Sequence, residues 1–403
     1  MGGKARGRTM ALLLAGLLLL AGCRGGGTSA PTPAGTTSAA AATAAATATA
    51  GSPTLYFLNV GKGDATLIGL PDGQWVMVDT GPKSGVGEVG RTFRRLGITR
   101  LSAIFLSHPH ADHRGGLDTI LSMMPCDAFY TTAYDFAGNS SKLDQVLAEH
   151  DLPKQTIAAG DVVTIGQAAF AVVGPNGTHE EENDNSLVIR MECGGLSVLF
   201  SADQCLDAEA ALLQSGQAIG CDVLKVGHHG KDDATGEAFL RAVSPVLSII
   251  PNEDSNDNEL SAAVLHRLQA IGSTTALLGH TGTVRVWMAD TGPQMEPVAA
   301  PGKPAGLAIT ALDPVAESVT VTNQSNAAVD LTGWSLLTDK GNDCYFFPAG
   351  STLAPGESVT IWSGVESAPE GGLLWSAGKM WRDKKGNLAT LTDPYGRVVS
   401  TME

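Results

Sequence analysis

The sequence predicts an α+β protein of two folded units: a layered domain of sheets covered by helices, then a small all-β sandwich. Three observations carry this. A chain of 403 residues with 43% hydrophobic side chains has apolar material for more than one core. Between residues 53 and 292, strand-like and helical runs alternate in blocks, as they do where helices cover a sheet. Past a Pro/Gly-rich linker at 293–305, strand-like runs recur over 306–403 with frequent turns and little helical period, the texture of a sandwich. Four of the six tryptophans, Trp334, Trp362, Trp375 and Trp381, fall in that last segment.

The N-terminus reads as an export signal over residues 1–23. Lys4, Arg6 and Arg8 precede an unbroken apolar run from Met10 to Ala21. That run is too short to span a bilayer and suits a signal-peptide core. Cys23 directly follows Leu20-Ala21-Gly22, which resembles a bacterial lipobox; the resemblance implies a lipidated Cys23 at the mature N-terminus and an extracytoplasmic protein anchored to the cell membrane. The alternative, a plain signal peptide with an incidental cysteine, lacks the small-x-small cleavage pattern. Residues 24–52 are almost entirely Gly, Ser, Thr, Pro and Ala, a flexible tether with nothing to pack.

In chain order, Thr54–Val60, Ala65–Leu70 and Gln74–Val78 read as strands, with Pro71-Asp72-Gly73 turning between the last two. Val89–Leu96 reads as a helix and Leu101–Leu106 as a short buried strand. Further strands are expected at Val162–Ile165, Ala168–Val173, Ser186–Glu192, Leu196–Ala202 and Val223–Val226. Helices are expected at Leu117–Met124, Lys142–His150, Leu206–Gln214, Gly236–Ala242 and Ser261–Ala270.

Charge narrows the function. The net charge is −15, and the segment from Pro53 to Ala300 holds 30 Asp/Glu against 15 Lys/Arg. Such a surface lacks the basic footprint of a nucleic-acid binder. Apart from Cys23, the cysteines at 126, 193, 205, 221 and 344 are scattered and odd in number, so neither a zinc ribbon nor a disulfide framework is supported. Free buried thiols are expected, with a single bridged pair left open.

The chemistry concentrates in "LSHPHADHRGG", Leu106 to Gly116, at the C-terminal end of a buried strand, where layered folds place their ligand loops. His108 and His110 alternate onto one side, and Asp112 and His113 follow in the turn. Imidazole and carboxylate donors suit Zn, Mn, Fe or Ni, and two adjacent pairs suit two ions.

This H-x-H-x-D-H run resembles the signature of the metallo-β-lactamase fold, and in particular its ComEC-like branch. The likeness extends through "FLNVGKGDATLI" at 57–68, "VMVDTG" at 76–81, "NDNSLVIRM" at 183–191, "VLFSADQ" at 198–204 and "DVLKVGHHG" at 222–230. It implies an αββα sandwich over 53–292 and two divalent metal ions, Zn or Mn. His108 and His110 would hold one ion, Asp112 and His113 the other, with Asp203 bridging. His228 or His229 would complete the second site; His228 is favoured as the ligand, and His229 is left to contact substrate or carry a proton. Bland readings compete for single residues: Asp203 could cap a turn, and Lys225 could simply extend from a buried strand. The last segment resembles a lamin-tail domain, an immunoglobulin-like sandwich, with its Trp residues in the core.

A water held by two divalent cations becomes a nucleophilic hydroxide near neutral pH. Asp112 would orient it and take its proton, with His229 or a metal-bound water as acid. Lys225, Asn185 and Ser186 are expected near the substrate. Two departures from the family stand out. No third histidine serves the first ion, since His179 lies in an acidic loop and reads as exposed. Asn59, Lys62 and Lys231 replace the usual residues, and "PNEDSNDNELS" at 251–261 lacks the family's His-Pro element. The family likeness implies an anionic phosphodiester, a nucleic acid or nucleotide, as substrate of a monomeric nuclease. The alternatives are a hydrolase of esters, lactones or β-lactams, and a surface scaffold with an inactive site.

Overall fold

The computed structural model describes residue 49 and residues 51–253, 260–303, 305–338, 343–381 and 387–403. The expected signal segment, Cys23 and nearly all of the tether lie outside the described residues. Among those described, no helix is long and apolar enough to cross a membrane.

Strands β1 (Thr54–Phe57), β2 (Ala65–Gly69), β3 (Trp75–Thr80), β4 (Ala103–Leu106), β5 (Phe129–Thr131) and β6 (Lys154–Thr156) build most of the first sheet. The second sheet is β7 (Val162–Ile165), β8 (Ala168–Gly174), β9 (Val188–Cys193), β10 (Leu196–Phe200), β11 (Val223–Lys225), β12 (Leu247–Ile250) and β13 (Thr274–Leu277). The chain then returns through β14 (Val284–Ala289) and β15 (Gly292–Pro297) to the first sheet, whose order is β15-β14-β1-β2-β3-β4-β5-β6. Residues 293–297, expected as linker, are therefore an edge strand paired with β14. Its two prolines are tolerated there because an outer strand has one edge of N–H groups that need no ladder partner.

Strand alternation explains the layers. In β2, β3 and β4, Ile68, Val76, Val78 and Phe105 face the second sheet and pack with Phe170, Ile189, Val198 and Phe200. Their neighbours Leu67, Met77 and Ile104 face outward onto helices α1 (Val86–Leu96), α2 (Ala111–Arg114), α3 (Leu117–Met123) and α4 (Ser140–Glu149), which contribute Val89, Phe93, Leu117, Ile120 and Leu143. On the far side, Leu199, Leu224 and Ile250 pack under α5 (Leu206–Ser215), α6 (Glu237–Val243) and α7 (Ala262–Ala270) through Leu212, Leu240 and Val264. The result is four layers, helix-sheet-sheet-helix. Strands β3 to β6 and β10 to β13 run parallel, so their C-terminal ends meet along one edge of the sandwich.

Residues beyond 306 form sheets of order β16-β17-β22-β23 and β20-β19-β24-β25, where β16 is Leu307–Asp313, β17 Ser318–Asn323, β18 Val329–Asp330, β19 Ser335–Leu337, β20 Cys344–Phe346, β21 Thr352–Leu353, β22 Ser358–Ser363, β23 Leu373–Ser376, β24 Ala389–Thr392 and β25 Val398–Met402. Trp334 and Trp381 are buried in their shared core with Val321, Phe347 and Leu391; Trp375 packs at its margin.

This sandwich docks on α1. Gly90 lies so close to the Phe346 ring that any side chain there would collide with it, and the Arg94 guanidinium stacks on the same ring at 3.9 Å. Arg91, 7% exposed, donates to Ser335 Oγ and Thr392 Oγ1, both at 3.2 Å. All five described cysteines are free, two buried and three partly so.

Candidate metal centre

The centre forms where β4, β10 and β11 end and their following turns converge. Asp79, last but one in β3, accepts from the Ser107 N–H at 2.7 Å and Ser107 Oγ at 2.8 Å, which pins the start of the histidine loop. Gly63, at φ 141°, brings the loop after β1 against the Asp112 carbonyl with no room for a side chain. His228 and His229 both adopt left-handed backbone, φ 44° and 54°, so the turn after β11 throws their side chains in different directions.

That turn reverses the expected division of labour between them. His229, not His228, joins Asp112, His113 and Asp203 in one compact group. His113 Nε2 lies 3.2 Å from Asp203 Oδ1, and His229 Nε2 lies 3.3 Å from Asp203 Oδ2 and 3.5 Å from Asp112 Oδ2. His228 instead donates from Nδ1 to Asp233 at 2.9 Å, and its Nε2 accepts from the Lys231 ammonium at 2.8 Å. The Nε2 of His228 already faces a cation and its Nδ1 belongs to a separate group with Cys205 and Asp233, while His229 is too buried, at 1% exposure, to serve as a free proton carrier.

The donor set fits divalent ions. The Nε2 atoms of His108, His113 and His229 and Oδ1 of Asp203 are buried without a hydrogen-bond partner, an arrangement costly unless something else binds them. Each of the three imidazoles is anchored through its other nitrogen: His108 by Ser107 Oγ at 3.1 Å, His113 by Asp79 at 2.9 Å and His229 by the Pro251 carbonyl at 3.0 Å. Such anchoring fixes the tautomer that presents Nε2 to a metal. Two donors bound tetrahedrally at about 2.0–2.2 Å stand roughly 3.3–3.6 Å apart, close to the separations within this group.

The electrostatics agree. Burial pushes His113 and His229 toward neutrality, but the carboxylates of Asp203, Asp79 and Asp64 around the first, and of Asp203 and Asp112 around the second, outweigh it and raise both well above the usual histidine range. Burial alone would raise Asp203, yet the same two imidazoles hold it well below the ordinary carboxylate value. His108 is lowered, first by burial and then by His113. The pocket is thus a concentrated negative site held together by protons, which a divalent cation would replace.

The first pair is looser. His108 and His110 stand with ring centroids 4.6 Å apart, and both rest on Phe136. His110 Nε2 faces Glu182 Oε2 at 3.3 Å.

The three expected substrate contacts are placed differently. Lys225, 3% exposed, turns beneath the centre to pair with Asp64 and donates to the Ala202 carbonyl at 2.7 Å. Asn185, 1% exposed, is spent on backbone: its amide donates to the His179 and Glu181 carbonyls at 3.1 and 2.9 Å and accepts from the His179 N–H at 2.9 Å. Ser186 is fully buried with its hydroxyl unpaired. None of them presents itself to solvent, because all three lie on buried strand or loop backbone. His179 is half-buried rather than exposed. Of the segment 251–261, residues 254–259 lie outside the described residues. The sequence reading gave no role to Asp64, Asp79 or Glu182, although the first two sit inside the motifs it singled out.

Residues 58–251 match the metallo-beta-lactamase superfamily, and residues 300–403 match the lamin tail domain. The chain therefore joins a metallo-beta-lactamase domain, a hydrolase fold that holds divalent metal ions, to a lamin tail domain. Its hydrolase-fold half is homologous to the ComEC-like proteins. ComE operon protein 3 of Bacillus subtilis is 28% identical over 218 residues, 49% of this chain and 28% of the relative. Recombination protein 2 of Haemophilus influenzae is 30% identical over 236 residues, 57% of this chain and 28% of the relative. The chain thus spans little more than a quarter of either relative. Among solved structures, the metallo-beta-lactamase fold protein YhfI from Bacillus subtilis aligns with 55% of this chain and 94% of its own, at 12% identity and a TM-score of 0.39.

Proposed function

We propose that the protein is a metal-dependent phosphodiesterase, a nuclease or nucleotide hydrolase, held outside the cytoplasm by a lipid on Cys23. The observation that carries the hydrolase is the group Asp112, His113, Asp203 and His229, preformed at metal-ligand spacing with its imidazoles anchored from behind. His113, His229, Asp112 and Asp203 would hold one ion, with His108 and His110 holding a second. Bound there, the ions supply an acidified water and polarise the bond to be cleaved.

The chain's own groups do the rest. Asp112, with 27% of its side chain exposed, is the one member of the group open to solvent and so the one placed to orient a bound water; burial would raise its carboxyl, but His229 and His113 hold it well below the usual carboxylate range. Asp203, buried between two imidazoles, stays ionised and keeps them in place. A cavity of about 280 Å³, joined to the histidine loop through Pro109, is lined by Thr132, Tyr134, Ser140, Asp135, Asp144 and Lys154.

The phosphodiester class is supported by relatives named for recombination and competence. One observation favours a second reading, an uncharged ester or lactone: Glu180, Glu181, Glu182 and Asp184 crowd the loop beside His110 and would repel a polyanion. Hydrolysis of bis(p-nitrophenyl) phosphate, single-stranded DNA and p-nitrophenyl acetate by the Zn2+- or Mn2+-loaded protein separates the two. Phosphodiester turnover lost in His229→Ala supports the first reading; ester turnover alone would replace it with the second.

A further inference from the structure

We propose that the cavity at the ends of β5 and β6 is a subsite for a neutral, hydroxyl-rich sugar ring carried by the substrate beside the bond to be cleaved. The proposal rests on the phosphodiesterase reading above and narrows its substrate class.

At about 280 Å³ the cavity lies just under the roughly 300–1,000 Å³ of most small-molecule sites, so it has room for one small ring. Its place in the fold is that of a ligand site. Thr131 and Thr156, the last residues of β5 and β6, line it, at the edge of the sandwich where the metal centre also forms. Pro109, between the two histidines of the first pair, forms part of its wall. Tyr134, also in the wall, packs edge-on against Phe136 with ring centroids 4.9 Å apart, and Phe136 in turn supports His108 and His110.

Small-molecule sites are mostly lined by apolar groups, and this one is not. Thr131, 2% exposed, has a hydroxyl with no hydrogen-bond partner among the described residues, a loss that a bound ligand would make good. Thr132 and Ser140 each accept a backbone N–H, from Tyr134 at 3.2 Å and from Phe136 at 2.9 Å, which leaves their own protons to donate. Asp135 and Asp144 add acceptors. A sugar hydroxyl both gives and accepts, so this mixture of donors and acceptors matches it. Charge excludes a second phosphate as the occupant. Lys154 is paired with Asp144, and the wall carries that one base against two acids, so an anion there would be repelled. The subsite therefore favours a substrate with free sugar hydroxyls, a ribonucleotide or a sugar phosphodiester, over the interior of a DNA strand, whose sugars lack the 2′-hydroxyl.

Saturation-transfer NMR on the full chain, with methyl β-ribofuranoside and methyl α-glucopyranoside as probes, tests the subsite without reference to turnover. Transfer to at least one probe is expected, and the probe that receives it tells a ribose site from a hexose site. Thr131→Val keeps the shape and removes a hydroxyl that no described protein group uses, so it should abolish transfer without lowering the thermal melt. Tyr134→Phe is the second variant and should weaken transfer. For a ribose site, turnover gives a further arm. The Zn2+-loaded protein should show a KM for the p-nitrophenyl 5′-phosphodiester of uridine about fivefold below that for 2′-deoxyuridine, the order of one neutral hydrogen bond, and Thr131→Val should bring the two together. Transfer to neither probe, or undiminished transfer in both variants, would overturn the subsite while leaving the hydrolase reading intact. Equal KM values in a chain that binds the riboside would overturn its placement beside the reacting bond. Transfer without any phosphodiester turnover would keep a sugar site and overturn the phosphodiesterase.

Discussion

His228 and His229 are neighbours of one type in one motif, yet the structure gives them opposite environments. Strand alternation separates adjacent side chains in an extended segment, but both residues here are left-handed, so no periodicity in the sequence reports their directions. The H-x-H-x-D-H run was legible as a candidate site because its donors are local in sequence. Lys225 was misread for the converse reason: its partner Asp64 is 161 residues away, and only the packing of the two sheets reveals the pair. Buried at 4% and 5% side-chain exposure, that pair makes a sharp prediction. Lys225→Met should lower the unfolding free energy of the metal-stripped protein by up to about 3–5 kcal/mol, because Asp64 loses its nearest cation and keeps only the imidazoles of His229 at 3.4 Å and His113 at 3.8 Å. Adding Asp64→Asn should recover much of the loss; urea melts of the two single variants and the double variant would show no recovery if the pair were unimportant. Glu209 gives a second prediction. It is 1% exposed, burial pushes it up to about 7, and the Thr235 and Gly236 N–H groups only partly offset this. An acid raised from its ordinary value of 4.5 favours folding most when protonated. Its contribution is full below pH ~4.5 and is lost as pH rises through about 7, a change of about 3 kcal/mol. Thermal melts from pH 5 to 8 should show this slope in the wild type and a smaller one in Glu209→Gln; equal slopes would contradict it.

At the scale of elements, strands that adjoin the quoted motifs were read from sequence, β4 and β11 among them although both are buried throughout, while β14 was missed. Several of those missed have a physical reason. β12 is buried throughout, its one polar residue Ser248 included, so no exposed position marks a face; β5 and β6 have three residues each; and β15 carries two prolines that signal a break everywhere except at a sheet edge. Helix α1 was read from Val89, but its first turn, with Gly87, serves the tail domain rather than the core: a side chain at Gly87 would meet Leu337 and one at Gly90 would strike Phe346. Sequence-level propensity counts such glycines against a helix; here they make room for another domain. Gly90→Leu should therefore cost about 1–3 kcal/mol by overpacking. It should also expose the 298–306 connection to limited proteolysis, which an unchanged digestion pattern would refute.

At the scale of the molecule, the tail domain is mounted, not hung. Arg91, Arg94 and Arg95 on one face of α1 reach Ser335 and Thr392, Phe346, and the Pro394 carbonyl with the Tyr395 ring. Scanning calorimetry of the metal-stripped protein should show one transition in the wild type and two in Arg91→Ala, whose loss unties the docked faces; two resolved transitions in the wild type would mean that the domains unfold independently. This arrangement fixes the tail sandwich relative to the helical layer that also carries the histidine loop through α2. The proposed chemistry depends on the centre being a metal site assembled by His229. Zinc content per chain after equilibrium dialysis, compared among the wild type, His229→Ala and His228→Ala, tests this most directly. The account predicts two ions in the wild type, loss of one in His229→Ala and retention of both in His228→Ala; an ion lost from His228→Ala but not from His229→Ala, or no zinc in the wild type, would contradict it.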